Sequence, residues 1–280
     1  MSVASTPPSR ARAWLLAARP ATLTASVAPV LVGTACAAAA GQVRFGPALA
    51  ALAGAMLIQI GTNLANDFFD FEKGADTAER LGPTRAVQAG WLTAADMKRA
   101  TFLVFALAAA IGAYLIAIGG LPIALLGIAS ILSGLAYTGG PAPLGYLGLG
   151  DVFVFAFFGL AAVCGTTFVQ LGHIPLVAWF AATAVGALST AVLVVNNLRD
   201  RNTDAVAHKR TLAVRFGRGF AIGEYVALIA LAQVATIAVA WSLRSPLPLV
   251  ALLTIPRGIS LAKQVAGYEG RALNPLLGAT

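Results

Sequence analysis

Charge is scarce in this chain. Of 280 residues only 11% are Asp, Glu, Lys or Arg, against 59% apolar. Soluble domains carry about 25% charged and about 45–50% apolar residues, so this composition excludes an ordinary soluble globule. Cysteine is scarcer still. Cys36 and Cys164 both stand in apolar runs with no CxxC neighbour and no His at ligand spacing, which removes a disulfide or zinc framework and leaves two small core residues. The two histidines, His173 and His208, also lack a partner at metal-ligand spacing.

What is abundant is long apolar runs. With a spanning helix of ~20 apolar residues as the ruler, eight segments qualify: 21–40, 47–64, 100–119, 121–137, 149–171, 175–195, 220–242 and 247–262. The eighth is short and interrupted by Pro248, Pro256 and Arg257. Arg10, Arg12 and Arg19 precede the first run, which is long for the apolar part of a signal peptide and reads as a retained helix. The expected fold is all-α, a polytopic transmembrane helical bundle forming one integral-membrane domain over 1–280.

The net charge of +8 points to topology and a lipid bilayer, with no nucleic acid partner expected. With the N-terminus in the cytoplasm, every Lys and Arg except Arg44 and Arg244 falls in an inside segment, the distribution of the positive-inside rule. The outside connections at Gly119-Gly120 and at 172–174 are minimal, while the inside segments after the second and sixth runs are long. Long loops are usually functional, so chemistry is expected on the cytoplasmic face.

Both long loops begin with the same device. Asn63, Asn66 and Asp70 recur at i, i+3 and i+7, with Asp67 beside them; Asn196, Asp200 and Asp204 recur at i, i+4 and i+8. Continued helix would place each set on one face. Clustered carboxylates at the mouth of an apolar bundle repel one another and persist with a compensating cation. Oxygen-only donors favour a hard ion such as Mg2+, held by one or two carboxylates with substrate phosphates. Two facing clusters suit a diphosphate bridged through Mg2+.

Lys73, Arg80 and Arg85 follow the first set and Lys209-Arg210 the second, as phosphate donors or, equally, as solvated loop charges. A third inside loop, 137–146, has no charge and is rich in Gly and Pro. There Tyr137 reads either as a contact for a diphosphate or carbocation or as an interfacial aromatic.

These residues resemble the UbiA-type intramembrane prenyltransferases, whose NDxxD and DxxxD motifs are similar to Asn66-Asp67-Phe68-Phe69-Asp70 and Asp200-Arg201-Asn202-Thr203-Asp204. The resemblance spans nearly the whole chain. It narrows to the menaquinone branch through 19–26, the run from Asn66 to Arg85, 137–141, 143–146 and 209–215. Where the general pattern has a further Asp, this chain has Gly74, and the acid comes at Asp76. Members of the family have nine spans; this chain stops at 273–280, where a ninth would begin, so eight are expected and the C-terminal helix is absent.

The resemblance implies transfer of a polyprenyl group from polyprenyl diphosphate to 1,4-dihydroxy-2-naphthoate, with loss of CO2 and diphosphate, to give demethylmenaquinol for menaquinone biosynthesis. It implies Mg2+ held by Asn66, Asp67, Asp70, Asp76, Asp200 and Asp204. Asp67, Asp70, Asp200, Asp204 and Tyr137 would be catalytic, and Arg19, Asn63, Asn66, Lys73, Arg85, Asn196, Asn197, Lys209 and Arg210 would bind substrate. The implied setting is a bacterial cytoplasmic membrane, with N-terminus and active site facing the cytoplasm. The alternatives are another aromatic acceptor (4-hydroxybenzoate, homogentisate or chlorophyllide) and a cation transporter using the same acids.

Overall fold

The computed structural model describes residues 7–74 and 81–280, and among them every regular element is helical. A short helix α1 (Arg10–Ala18) precedes α2 (Pro20–Ala39), α3 (Phe45–Glu72), α4 (Ala94–Ala136), α5 (Gly150–Leu171), α6 (Leu176–Val206), α7 (Leu212–Leu243) and α8 (Leu247–Gly267). Of the described elements, the seven from α2 to α8 are long and apolar enough to cross a membrane. The chain is a multi-pass membrane protein.

Seven long helices stand where eight spans are expected, because the third and fourth runs both fall within α4, whose two halves join across a kink at Gly120. The 43 residues of α4 would measure about 65 Å at ~1.5 Å per residue, twice a ~30 Å hydrocarbon core. The helix breaks at Gly120, whose backbone (φ 65°, ψ −151°) is not helical and lies where only glycine is unstrained. Phe105 and Gly134, on opposite sides of this break, meet beside Gly61 and Thr62 of α3, so α4 doubles back on itself.

Helix ends also run beyond the apolar runs. α3 continues to Glu72 and α6 to Val206, so both Asn/Asp segments are helical. Hydropathy marks only the stretch inside lipid, whereas helical hydrogen bonds continue wherever side chains still pack. Leu64 and Phe68 of α3 lie in a core with Ala13 and Ala17 of α1, Ala86, Val87 and Leu92 of the following loop, and Met97 of α4. Val194, Val195 and Leu198 of α6 pack with Tyr225 of α7, Leu261 and Val265 of α8, and Leu273 and Leu276 beyond it. Each polar segment therefore has an apolar bed behind it.

Between α5 and α6 the helices approach through small residues, as is usual where lipid offers no hydrophobic drive. A Cβ on Gly159 would lie 2.6 Å from both the Ala182 carbonyl oxygen and the Gly186 Cα. Cys36 and Cys164 are buried and unbridged in the same region. Around Gly159, residues 155–164 of α5 wind as a π-helix, a wide turn that often accompanies function.

Candidate functional site

A cavity of about 430 Å3 runs through the bundle between α2, α3, α4 and α5. Its wall includes α3 from Ala51 to Asn66, about 22 Å at ~1.5 Å per residue. Ile58, Leu115, Ile123, Phe157 and Ala161 make most of it apolar; Gln59, Asn63, Asn66 and Tyr137 are polar groups at the end nearer the C-terminus of α3. The rings of Phe153 and Phe157 stack at 5.9 Å on one side.

At that mouth lies Asp70, 1% exposed. Its carboxylate accepts from Arg85 Nη2 at 2.9 Å and Tyr146 Oη at 2.9 Å, and Lys209 Nζ stands 3.4 Å away. Such a buried ion pair is stable only when its desolvation is offset by several good contacts, and these come from three separate loops. Lys209 belongs to the loop after the second cluster, so the C-terminal end of α3 and the loop leaving α6 meet here. The ammonium groups of Lys209 and Lys73 stand 4.8 and 5.1 Å from the Tyr146 ring centroid. Lys73 Nζ also donates to the Thr138 and Gly140 carbonyls at 2.5 and 3.2 Å. Burial pulls Lys73 below the ordinary lysine value, with Asp70 opposing that shift.

The first cluster divides by direction. Asn66 accepts from Thr138 Oγ1 at 2.7 Å and faces the cavity. Asp67, about 100° further round the helix, turns to the loop and accepts from the backbone N–H of Ala86 at 3.0 Å and Val87 at 3.3 Å. Asn63 donates to the Ala18 carbonyl and to Thr22 Oγ1, both at 2.9 Å, and so ties α3 to the joint between α1 and α2. Arg19 forms that joint with a left-handed backbone (φ 53°). Asp76 and Arg80 lie outside the described residues.

The second cluster is organised by Arg199, a residue its spacing does not single out. It is 3% exposed. It donates to Asp200 through Nε at 2.8 Å and Nη2 at 2.5 Å, to Asn196 Oδ1 at 2.7 Å and to Asn274 Oδ1 at 2.9 Å. Asn274 in turn donates to the Leu81 carbonyl at 3.1 Å. Asn197 is buried on α6, Asp204 half-buried at its end, and Arg210 exposed with its N–H bound to the Tyr146 carbonyl. His208 is exposed, with a positive φ of 56°.

Tyr137 caps α4 and lines the cavity. Its hydroxyl lies where a Cβ on Gly150 would come within 3.0 Å, and the charges of Asp151, Asp204 and Asp70 all act on it. It thus stands at the junction of apolar cavity and acids. Besides Arg199, sequence reasoning missed Tyr146, Thr138 and Asp151. Tyr146 carried a signal as the second tyrosine of a loop without charges.

Among the described residues no three His, Cys, Asp or Glu side chains converge on one point. The donors present, carboxylate and amide oxygens flanked by Lys and Arg, fit an ion that takes one or two protein carboxylates and its remaining ligands from phosphate and water.

The UbiA prenyltransferase family profile matches residues 26–274. The chain belongs to this family. Among curated UbiA relatives, 1,4-dihydroxy-2-naphthoate octaprenyltransferase of Mycobacterium tuberculosis (strain ATCC 25618 / H37Rv) is 40% identical over 265 residues, covering 94% of this chain and 90% of the relative. The enzyme of the same name from Escherichia coli (strain K12) is 43% identical over 217 residues, covering 75% of this chain and 70% of the relative. Among solved structures, a UbiA homolog from Archaeoglobus fulgidus bound to DMAPP and Mg2+ superposes with a TM-score of 0.70, at 16% identity and 95% coverage of each chain. That likeness establishes the UbiA fold.

Proposed function

We propose that this chain transfers a polyprenyl group from polyprenyl diphosphate to 1,4-dihydroxy-2-naphthoate, releasing diphosphate and CO2 and yielding demethylmenaquinol. The observation that carries this reading is the union of a long apolar cavity with an acid and base cluster at its mouth. The identity to naphthoate prenyltransferases supplies the acceptor.

In this reading Asn66, Asp70, Asp200 and Asp204 would hold Mg2+ and Asp67 holds the turn at Ala86 and Val87. The metal, when bound, neutralises charge that grows on the leaving diphosphate. Lys73, Arg85, Lys209 and Arg210 bind diphosphate oxygens; Arg85 and Lys209 already surround Asp70. Phe153, Phe157 and Tyr137 wall the point where the allylic carbon is exposed and keep water from it. Their π faces favour developing positive charge. The tail lies along the cavity, beyond the polar mouth.

The protein is assigned to a bacterial cytoplasmic membrane with N-terminus and site facing the cytoplasm, because the basic residues cluster at that end. The test uses membranes containing the chain, supplied with Mg2+, a polyprenyl diphosphate and a panel of aromatic acids, with products identified by mass. Prenylated, decarboxylated dihydroxynaphthoate is expected. Prenylation of 4-hydroxybenzoate in its place would refute the acceptor assignment.

A further inference from the structure

Asp151 has no part in the roles assigned above. It sits in the first turn of α5, is 5% exposed, and no other described residue donates a hydrogen bond to either carboxylate oxygen. No Lys or Arg pairs with it among the described residues. Burying a carboxylate without donors is costly, and a buried group left unsatisfied in a native structure calls for an explanation, catalysis among them.

Its surroundings supply one. The preceding residue, Gly150, packs against the Tyr137 hydroxyl, and Phe153 and Val154 of the same helical turn line the cavity. Glu224 of α7 lies within electrostatic reach of Asp151. Asp151 is therefore a buried acceptor with no donor from any other described residue, one position from the glycine that packs against the Tyr137 hydroxyl. A phenolic acceptor entering there brings the missing O–H.

We propose, on the basis of the prenyl transfer argued above, that Asp151 is a further catalytic residue and takes the hydroxyl proton of the aromatic acceptor beside Tyr137. The O–H bond breaks, the proton passes to Asp151 Oδ, and the electron pair stays on the ring oxygen. The ring carbon bearing the carboxylate then bonds to the allylic carbon as the C–O bond to diphosphate breaks, the diphosphate leaving with that pair. The bond from ring to carboxylate breaks next and CO2 departs. Its electron pair restores the aromatic oxyanion, which takes the proton back from Asp151. No oxidant or reductant is consumed.

The experiment compares the full chain in detergent with its Asp151→Asn and Asp151→Glu variants. Each is titrated with 1,4-dihydroxy-2-naphthoate in the presence of Mg2+ and inorganic diphosphate, and the absorbance of the bound ring reports naphthol or naphtholate. The wild type is expected to show the red-shifted naphtholate spectrum and Asp151→Asn the neutral one. With polyprenyl diphosphate added, kcat of Asp151→Asn should fall about 10²–10⁴-fold, the usual contribution of a positioned general base. KM for polyprenyl diphosphate and the melting temperature should hold, and Asp151→Glu should recover part of both the spectrum and the rate.

A wild-type spectrum and rate in Asp151→Asn would overturn the proposal. So would losses shared by both variants together with a lowered melting temperature, since these mark a structural role. If the wild type acts only on 4-hydroxybenzoate, the naphthoate reading fails and the same comparison with that phenol decides Asp151. A wild type that binds no hydroxylated aromatic refutes both.

Discussion

Replacing Asp67 by Asn separates the role its motif suggests from the role its geometry gives it. The carboxylate is 1% exposed and accepts from two backbone amides, Ala86 N–H at 3.0 Å and Val87 N–H at 3.3 Å. An asparagine keeps one acceptor and turns an NH2 group towards the other amide. One charge-assisted hydrogen bond of about 1.5–3 kcal/mol is lost, and a buried donor faces a donor at about 1–3 kcal/mol. A destabilisation of about 2.5–6 kcal/mol follows, on the order of 10 °C in melting temperature for a chain of this size.

The loosened turn begins one residue after Arg85, so the ion pair to Asp70 is disturbed with it. The assay is a thermal melt in detergent with limited proteolysis of 81–92. A lower melting point and cleavage in that loop are expected. An Asp67→Asn protein that melts with the wild type yet has lost Mg2+-dependent diphosphate binding would show that Asp67 is a metal ligand and that the capping argument is wrong.

Asp200→Ala should abolish prenyl transfer and Mg2+-dependent diphosphate binding while the protein still inserts, checked by turnover and by membrane fractionation. Arg199→Gln should free Asn274 as well as Asp200, so proteolysis within 268–277 should rise together with the KM for polyprenyl diphosphate. Gly159→Ala would press a methyl group to 2.6 Å from the Ala182 carbonyl and Gly186 Cα, and about 1–3 kcal/mol of overpacking should lower the melting point. Gly112→Phe fills the cavity beside α4, so long-chain prenyl diphosphates should lose kcat/KM while the shortest keep it. Removing divalent ions with EDTA should stop turnover, and Mg2+ should restore it.

Much of this protein is readable without coordinates. The apolar runs, the segregation of Lys and Arg, and the recurrence of Asn66-Asp70 and Asn196-Asp200 at four-residue spacing are properties of single residues and their neighbours. A bilayer acts on them one by one through hydropathy and charge, so the fold class follows from them. What depends on groups far apart in the chain waits for tertiary structure. That α4 breaks and doubles back on itself depends on the backbone angles of Gly120.

Spacing put Asn66 and Asp67 in one motif, but the loop at Ala86 and Val87 claims one carboxylate while the cavity takes its neighbour. Tyr146 and Arg199 carry no periodic signal, and each acts by bridging segments that only folding brings together. Asp151 is one acid at a helix start in the sequence. Burial without a donor is what sets it apart, and burial is a property of everything packed around it.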